Sequence, residues 1–114
     1  MNDQRFIIEM GMGNDMYGGD MTKAAARAIE DAIRHSSIPM FEVMGLSHDL
    51  MRVDVTVAVP DPDAVDCAAL AEKLPRGQAT VKAVKGGLCV DTPASAQGII
   101  VATAAVEAYL PPQS

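Results

Sequence analysis

The chain has 114 residues, 49% of them hydrophobic and 21% charged, with a net charge of −6 and a pI near 4.6. Such a composition excludes a disordered chain, which has too little apolar surface to bury. It also argues against nucleic-acid and anionic-membrane partners, because both require a basic face. Aromatic residues make up only 4% and Trp is absent, so the core must be built from Ala, Val, Ile, Leu and the eight Met. Small side chains each bury little area, and a homo-oligomer is therefore expected. One domain spanning residues 1–114 is expected, since no linker interrupts the pattern. Cys67 and Cys89 are too few for a disulfide framework, and the first residues show no signal-peptide pattern. A cytoplasmic protein with reduced thiols is the expectation, with no membrane partner.

The run Arg5 to Met10 predicts a strand with Phe6, Ile8 and Met10 on one face. A glycine-rich loop from Gly11 to Asp20 follows. A helix is predicted from Met21 to Ser36, with Asp20 as its N-cap. Its apolar stripe is Met21, Ala25, Ala28, Ile29, Ala32 and Ile33. Arg27–Asp31 and Glu30–Arg34 are spaced as i,i+4 ion pairs. Pro39 ends that segment, Met40 to Met44 reads as a short strand, and a polar turn carries His48 and Asp49.

Met51 to Val59 alternates, with Val53, Val55, Val57 and Val59 on one face and Arg52, Asp54 and Thr56 on the other. This pattern predicts a strand with one buried face. Asp61 as N-cap with Pro62 at the first position predicts a second helix reaching Leu74. Gln78 to Lys85 and Leu88 to Thr92 read as the two arms of a hairpin turning at Gly86-Gly87. Gly98 to Leu110 is nearly continuously apolar and predicts a central strand covered on both faces. The expected fold is α+β. It is a βαββαβ-type two-layer sandwich, with a mostly antiparallel sheet, two helices on one face and an additional C-terminal hairpin and strand.

Four glycines, Asn14, Asp15, Tyr17 and Asp20 crowd into the ten residues from Gly11 to Asp20. A dinucleotide fingerprint would need a third glycine where Met16 stands, and no Gly-Lys-Ser/Thr follows, so nucleotide binding is not expected. The loop reads better as a site for a small polar molecule. Gly11, Gly13 and Gly18 would let a ligand approach the backbone. Asp15 would accept or orient a proton, Tyr17 would donate its hydroxyl, and Lys23 and Arg27 would reach back over the helix start. The competing reading is a glycine-rich turn in which Asp15 and Asp20 serve only as caps. No His/Cys cluster has zinc spacing, and no metal or cofactor is expected.

The run Ile8 to Gly18, continued by Asp20 to Ala28, resembles the Lin0512 family of small uncharacterised proteins, whose signature is Gly-x-Gly-x-Asp-x-His-Gly. The segments Met51–Val55, Val84–Leu88 and Ile100–Val106 resemble it as well. Against that signature, Tyr17 stands in the place of a histidine. The element order is also similar to small YjgF-type subunits and to one repeat of the ring-opening amidohydrolases. That likeness implies a trimer with sites between subunits and a lysine beside a serine nucleophile. Lys85 is the lysine assigned to that role, with Lys82 and Ser95 as other candidates; a solvated strand face is the competing reading of both lysines.

Three functions remain open from the residues alone. One is an enzyme acting by hydrolysis of an amide or heterocycle, or by proton transfer, with Asp15, Tyr17 and Lys85 as catalytic groups. Another is a non-catalytic ligand-binding or regulatory protein. The last is a structural oligomer.

Overall fold

The structure, a computed structural model, describes residues 4–34, 52–74 and 78–110. Five strands form one sheet: β1 (Gln4–Asp15), β2 (Arg52–Val59), β3 (Gln78–Lys85), β4 (Leu88–Thr92) and β5 (Ser95–Leu110). Of the described residues, two segments form α-helices, α1 (Met21–Arg34) and α2 (Cys67–Glu72), and both pack on one face. The order across the sheet is β1-β5-β2-β3, and β4 pairs with β5 beyond the end of β2. Among the described residues, only the β2–β3 pair is parallel and the other pairings are antiparallel. The α+β, two-layer expectation therefore holds. The predicted Met40–Met44 strand, His35, His48 and Asp49 lie outside the described residues.

The core sits between the helices and the inner face of the sheet. Val53, Val55, Val57 and Val59 alternate inward from β2 as their sequence pattern requires. Ile100, Ala102, Ala104, Val106 and Ala108 do the same from β5, and Ala24, Ala25, Ala28, Ile29 and Ala32 face them from α1. Alanine on both sides lets α1 lie unusually close to the sheet. The closest approach is at β1, where a Cβ on Gly11 or Gly13 would fall onto the backbone of Ala28, Arg27 and Ala32. Glycine is normally unfavourable in a strand, and here it is what the helix contact demands.

Several predicted boundaries change for physical reasons. β1 runs on to Asp15 instead of ending at Met10, so the first half of the glycine segment is strand. Asp20 does cap α1, accepting from the Lys23 N–H at 3.0 Å. The second helix breaks in two: a 3-10 turn spans Pro62–Ala64, Val65 is extended, and Asp66 begins α2 by accepting from the Ala69 N–H at 3.1 Å. Asp61 makes no side-chain cap. Thr22 at the start of α1 locks this junction, accepting from the Asp66 N–H at 2.9 Å and donating to the Ala64 carbonyl.

β3 and β4 do not form a hairpin. β3 pairs in parallel with β2, and β4 turns at Pro93-Ala94 into β5, with Thr92 opposite Ser95. Gly87 has φ +64° and lies so close to the Val101 carbonyl that a side chain would collide. The glycine pair thus allows a crossing between neighbouring strands, not a two-residue hairpin. β5 is central, as predicted, but among the described residues helices cover only one of its faces. Both helices take the inner side, leaving Thr103 exposed and Ile99, Val101 and Ala105 half-buried on the other.

Candidate functional site

Asp15 is the last residue of β1 and points to the helix side, opposite Ile100. It is the one buried charged residue among the described residues, with 4% of its surface exposed. A bare carboxylate there would be costly, so it must be compensated. Its Oδ2 accepts from the Asp20 N–H at 2.9 Å and the Gly18 N–H at 3.2 Å. Its Oδ1 faces the Lys23 ammonium and the Arg27 guanidinium, each at 3.9 Å. Arg27 also donates to the Asn14 carbonyl at 2.7 Å. Asp15 is therefore the post around which the chain turns from strand to helix, held by two N–H groups and two cations.

The loop is tied at its other side as well. Ser95 donates its hydroxyl to the Tyr17 carbonyl at 2.8 Å, linking the turn to the start of β5. Gly19, at φ +63°, lies against the Gln97 side chain. The resulting wall bounds an open cleft of about 590 Å³ lined by Asn14, Asp15, Met16, Tyr17, Gly18, Asp20, Lys23 and Arg27. Tyr17 is 67% exposed, and the Lys23 and Arg27 side chains are also partly exposed. An ammonium carries three donors and a guanidinium five, so both retain donors beyond those aimed at Asp15.

Asp15, Tyr17, Gly18, Lys23 and Arg27 thus come together around one cleft. Gly11 and Gly13 lie under α1, where their contact is with helix backbone. Lys85 is on β3, with β2 and β5 between it and β1, and it does not line the cleft. Lys82 faces the opposite side of the sheet, near Glu107. Sequence reasoning missed two supports. Gln97 packs against Gly19, and Asp31 of α1 accepts from the Met12 N–H at 3.0 Å. The predicted Arg27–Asp31 pair does not form because Arg27 turns to Asn14 and Asp15; Asp31 pairs with Arg34 instead, at 3.6 Å.

A second polar group lies at the far end of the outer sheet face. Glu107 accepts from the Tyr109 hydroxyl at 2.9 Å and from Arg5 at 3.1 Å. The Tyr109 hydrogen bond first, then that from Arg5, holds the Glu107 carboxyl below its ordinary range. The same bond raises the Tyr109 phenol above its ordinary value. Arg52 stacks on the Tyr109 ring at 4.1 Å and pairs with Asp54. These groups are joined by hydrogen bonds, an ion pair and a ring contact.

The fold and the cleft define a class: a small α+β protein with an open five-stranded sheet and a polar cleft where its first strand turns into its first helix. The family follows from comparison with known sequences. The chain belongs to the Lin0512 family of conserved hypothetical proteins, whose model matches residues 5–108. It is also similar to a protein of known crystal structure from Nostoc punctiforme PCC 73102, described as an FtsZ-like protein of unknown function. The two share 38% identity and superpose with a TM-score of 0.86 over 98% of this chain and 99% of that one. No curated protein matches. Among the described residues, no helix is long and apolar enough to cross a membrane.

Proposed function

We propose that this chain binds a small polar molecule bearing an anionic group, in the cleft between the Asp15–Asp20 turn and the first two turns of α1. The observation that carries the reading is the division of labour around Asp15. The buried carboxylate organises the turn and fixes two cations, while Lys23, Arg27 and the Tyr17 hydroxyl face the open cleft. An anionic head group would meet Lys23 and Arg27, and Tyr17 would hydrogen-bond the rest of the molecule. Tyr17 brings to such a ligand a hydroxyl that can both donate and accept a hydrogen bond.

The enzymatic alternative, hydrolysis or proton transfer through Asp15 and Lys85, is less well supported. It asks Asp15 for a proton-accepting oxygen, yet Oδ2 is committed to two N–H groups and Oδ1 faces two cations. It also asks for a lysine that lies across the sheet.

A thermal-shift panel of small carboxylates, phosphates, cyclic amides and ureas tests the reading on wild type, Lys23→Ala and Tyr17→Phe. Anionic compounds are expected to raise the wild-type melting temperature and to lose most of that shift in Lys23→Ala. Equal shifts in all three proteins, or stabilisation by uncharged amides alone, would contradict it. Turnover of an amide that Asp15→Asn abolishes would favour the enzyme instead.

A further inference from the structure

Among the described residues no helix lies on the outer face of the sheet, and this face carries most of their exposed large hydrophobic side chains. Ile8, Met10 and Met12 of β1, Val84 of β3, and Leu88 and Val90 of β4 are each between 41% and 68% exposed. The registers place all but Val84 on rows facing outward from β5, and Val84 extends the same surface across β2. A monomeric soluble protein rarely leaves a patch of this kind in water. We propose that this face is where copies of the chain pack against one another.

Three features favour a second copy over another partner. The first is charge. The outer face holds three cations, Arg5, Arg52 and Lys82, and two carboxylates, Asp54 and Glu107, and Asp31 of α1 reaches its trough as a third, so these charges balance. The −6 of the whole chain is then carried outside these groups. Copies that meet through this face avoid the repulsion that their other surfaces impose. From the Ala105 row to the Ile99 row, Lys82 at the margin is the only ionisable side chain that the described strands turn outward, and Asp31 of α1 lines the trough from the β1 edge.

Shape is the second feature. Met10 and Met12 stand up at the β1 side, 68% and 61% exposed. Beside them runs a trough of about 530 Å³, with small residues Thr56, Ala58, Thr103 and Ala105 among its lining. Knob and trough lie on one surface, so the face is complementary to itself, as a contact between identical chains requires. Methionine adapts its shape well to such a fit. The third feature is area. The six hydrophobic side chains expose on the order of 600 Å², most of the ~800 Å² per partner that a stable interface takes. Sheets packed face to face at the usual ~10 Å spacing would bury it.

The test is sedimentation velocity with light scattering across the micromolar range, on the full chain. Wild type is expected above its 12.0 kDa monomer mass, whether as a pair or a trimer. Met12→Arg and Thr103→Arg should each weaken association at least about tenfold, since each puts a charge into the buried apolar centre. Glu30→Arg, on the exposed side of α1, should leave association unchanged. A second readout needs no substitution: peroxide oxidation of Met10 and Met12, read by mass spectrometry, should be slow in the assembled protein and speed up on dilution. A wild type that stays monomeric, or an oligomer whose mass and Met10 and Met12 oxidation ignore both arginines and dilution, would overturn the proposal.

Discussion

Gly13→Ala is the sharpest probe of how the strand supports the cleft. A Cβ at this position would sit 2.6 Å from the Arg27 carbonyl carbon and Cβ, and closer still to the Ala28 nitrogen. These are mainly helix backbone atoms, which cannot step aside as a flexible side-chain end could. Overpacking of this kind costs up to about 3 kcal/mol, and alanine returns about 0.5–1 kcal/mol by restricting the unfolded chain. The net loss is about 2 kcal/mol, a fall of roughly 8 °C in Tm for a domain of this size. Gly18→Ala is the matched control. Its Cβ would meet only the Asp15 carboxylate, at 3.2 Å, and its φ is not positive, so its Tm should stay within a few degrees of wild type. Urea and thermal melts of the three proteins decide the matter. If Gly13→Ala matches or exceeds wild type in stability, α1 does not press on β1 as described, and Gly13 becomes free to meet a ligand.

Two further predictions concern charged groups. Asp15→Ala strips the Gly18 and Asp20 N–H groups of their acceptor and should cost about 2–3 kcal/mol in a urea melt, with Asp15→Asn losing roughly half as much because its carbonyl still accepts. An Asp15→Ala protein as stable as wild type would remove the post from the turn. Glu107 has a folded-state pKa below its ordinary 4.5, so the stability it adds is present above that value and is lost as pH falls through the lower, folded one. Carboxyl NMR titration should find Glu107 low in wild type and shifted back up in Tyr109→Phe; a titration that ignores the tyrosine would show that the hydrogen bond is not the cause.

The elements that could be read from the sequence are those whose periodicity is local. The alternation from Val53 to Val59 and the stripe from Met21 to Ile33 fixed β2 and α1 almost to the residue, because burial on one face is written into the spacing. Pairing partners are not local, and there the reading failed. Gly86-Gly87 has the composition of a hairpin turn, yet β3 takes β2 as its neighbour and leaves β4 to β5. Nothing in the dipeptide separates the two outcomes. Asp61-Pro62 is a strong start signal that masked a second one at Asp66, whose N–H and side chain are both used.

The lining of the candidate cleft was legible in part. Asp15, Tyr17, Gly18, Lys23 and Arg27 gather at one cleft because strand end, turn and helix start are consecutive. Gly11 and Gly13 carried the same glycine signal for a different cause, since alanines four residues apart on α1 need bare backbone beneath them. Lys85 came from likeness of element order, which does not determine how far apart two strands lie in the sheet.

The most direct test of the central claim is an amide NMR titration of wild type and Lys23→Ala with a small carboxylate, and separately with inorganic phosphate. The account predicts saturable shifts centred on Tyr17, Gly18, Gly19 and Asp20 in wild type, weakened at least about tenfold in Lys23→Ala. Shifts that fall elsewhere, or that are identical in the two proteins, would contradict an anion-binding cleft at this turn.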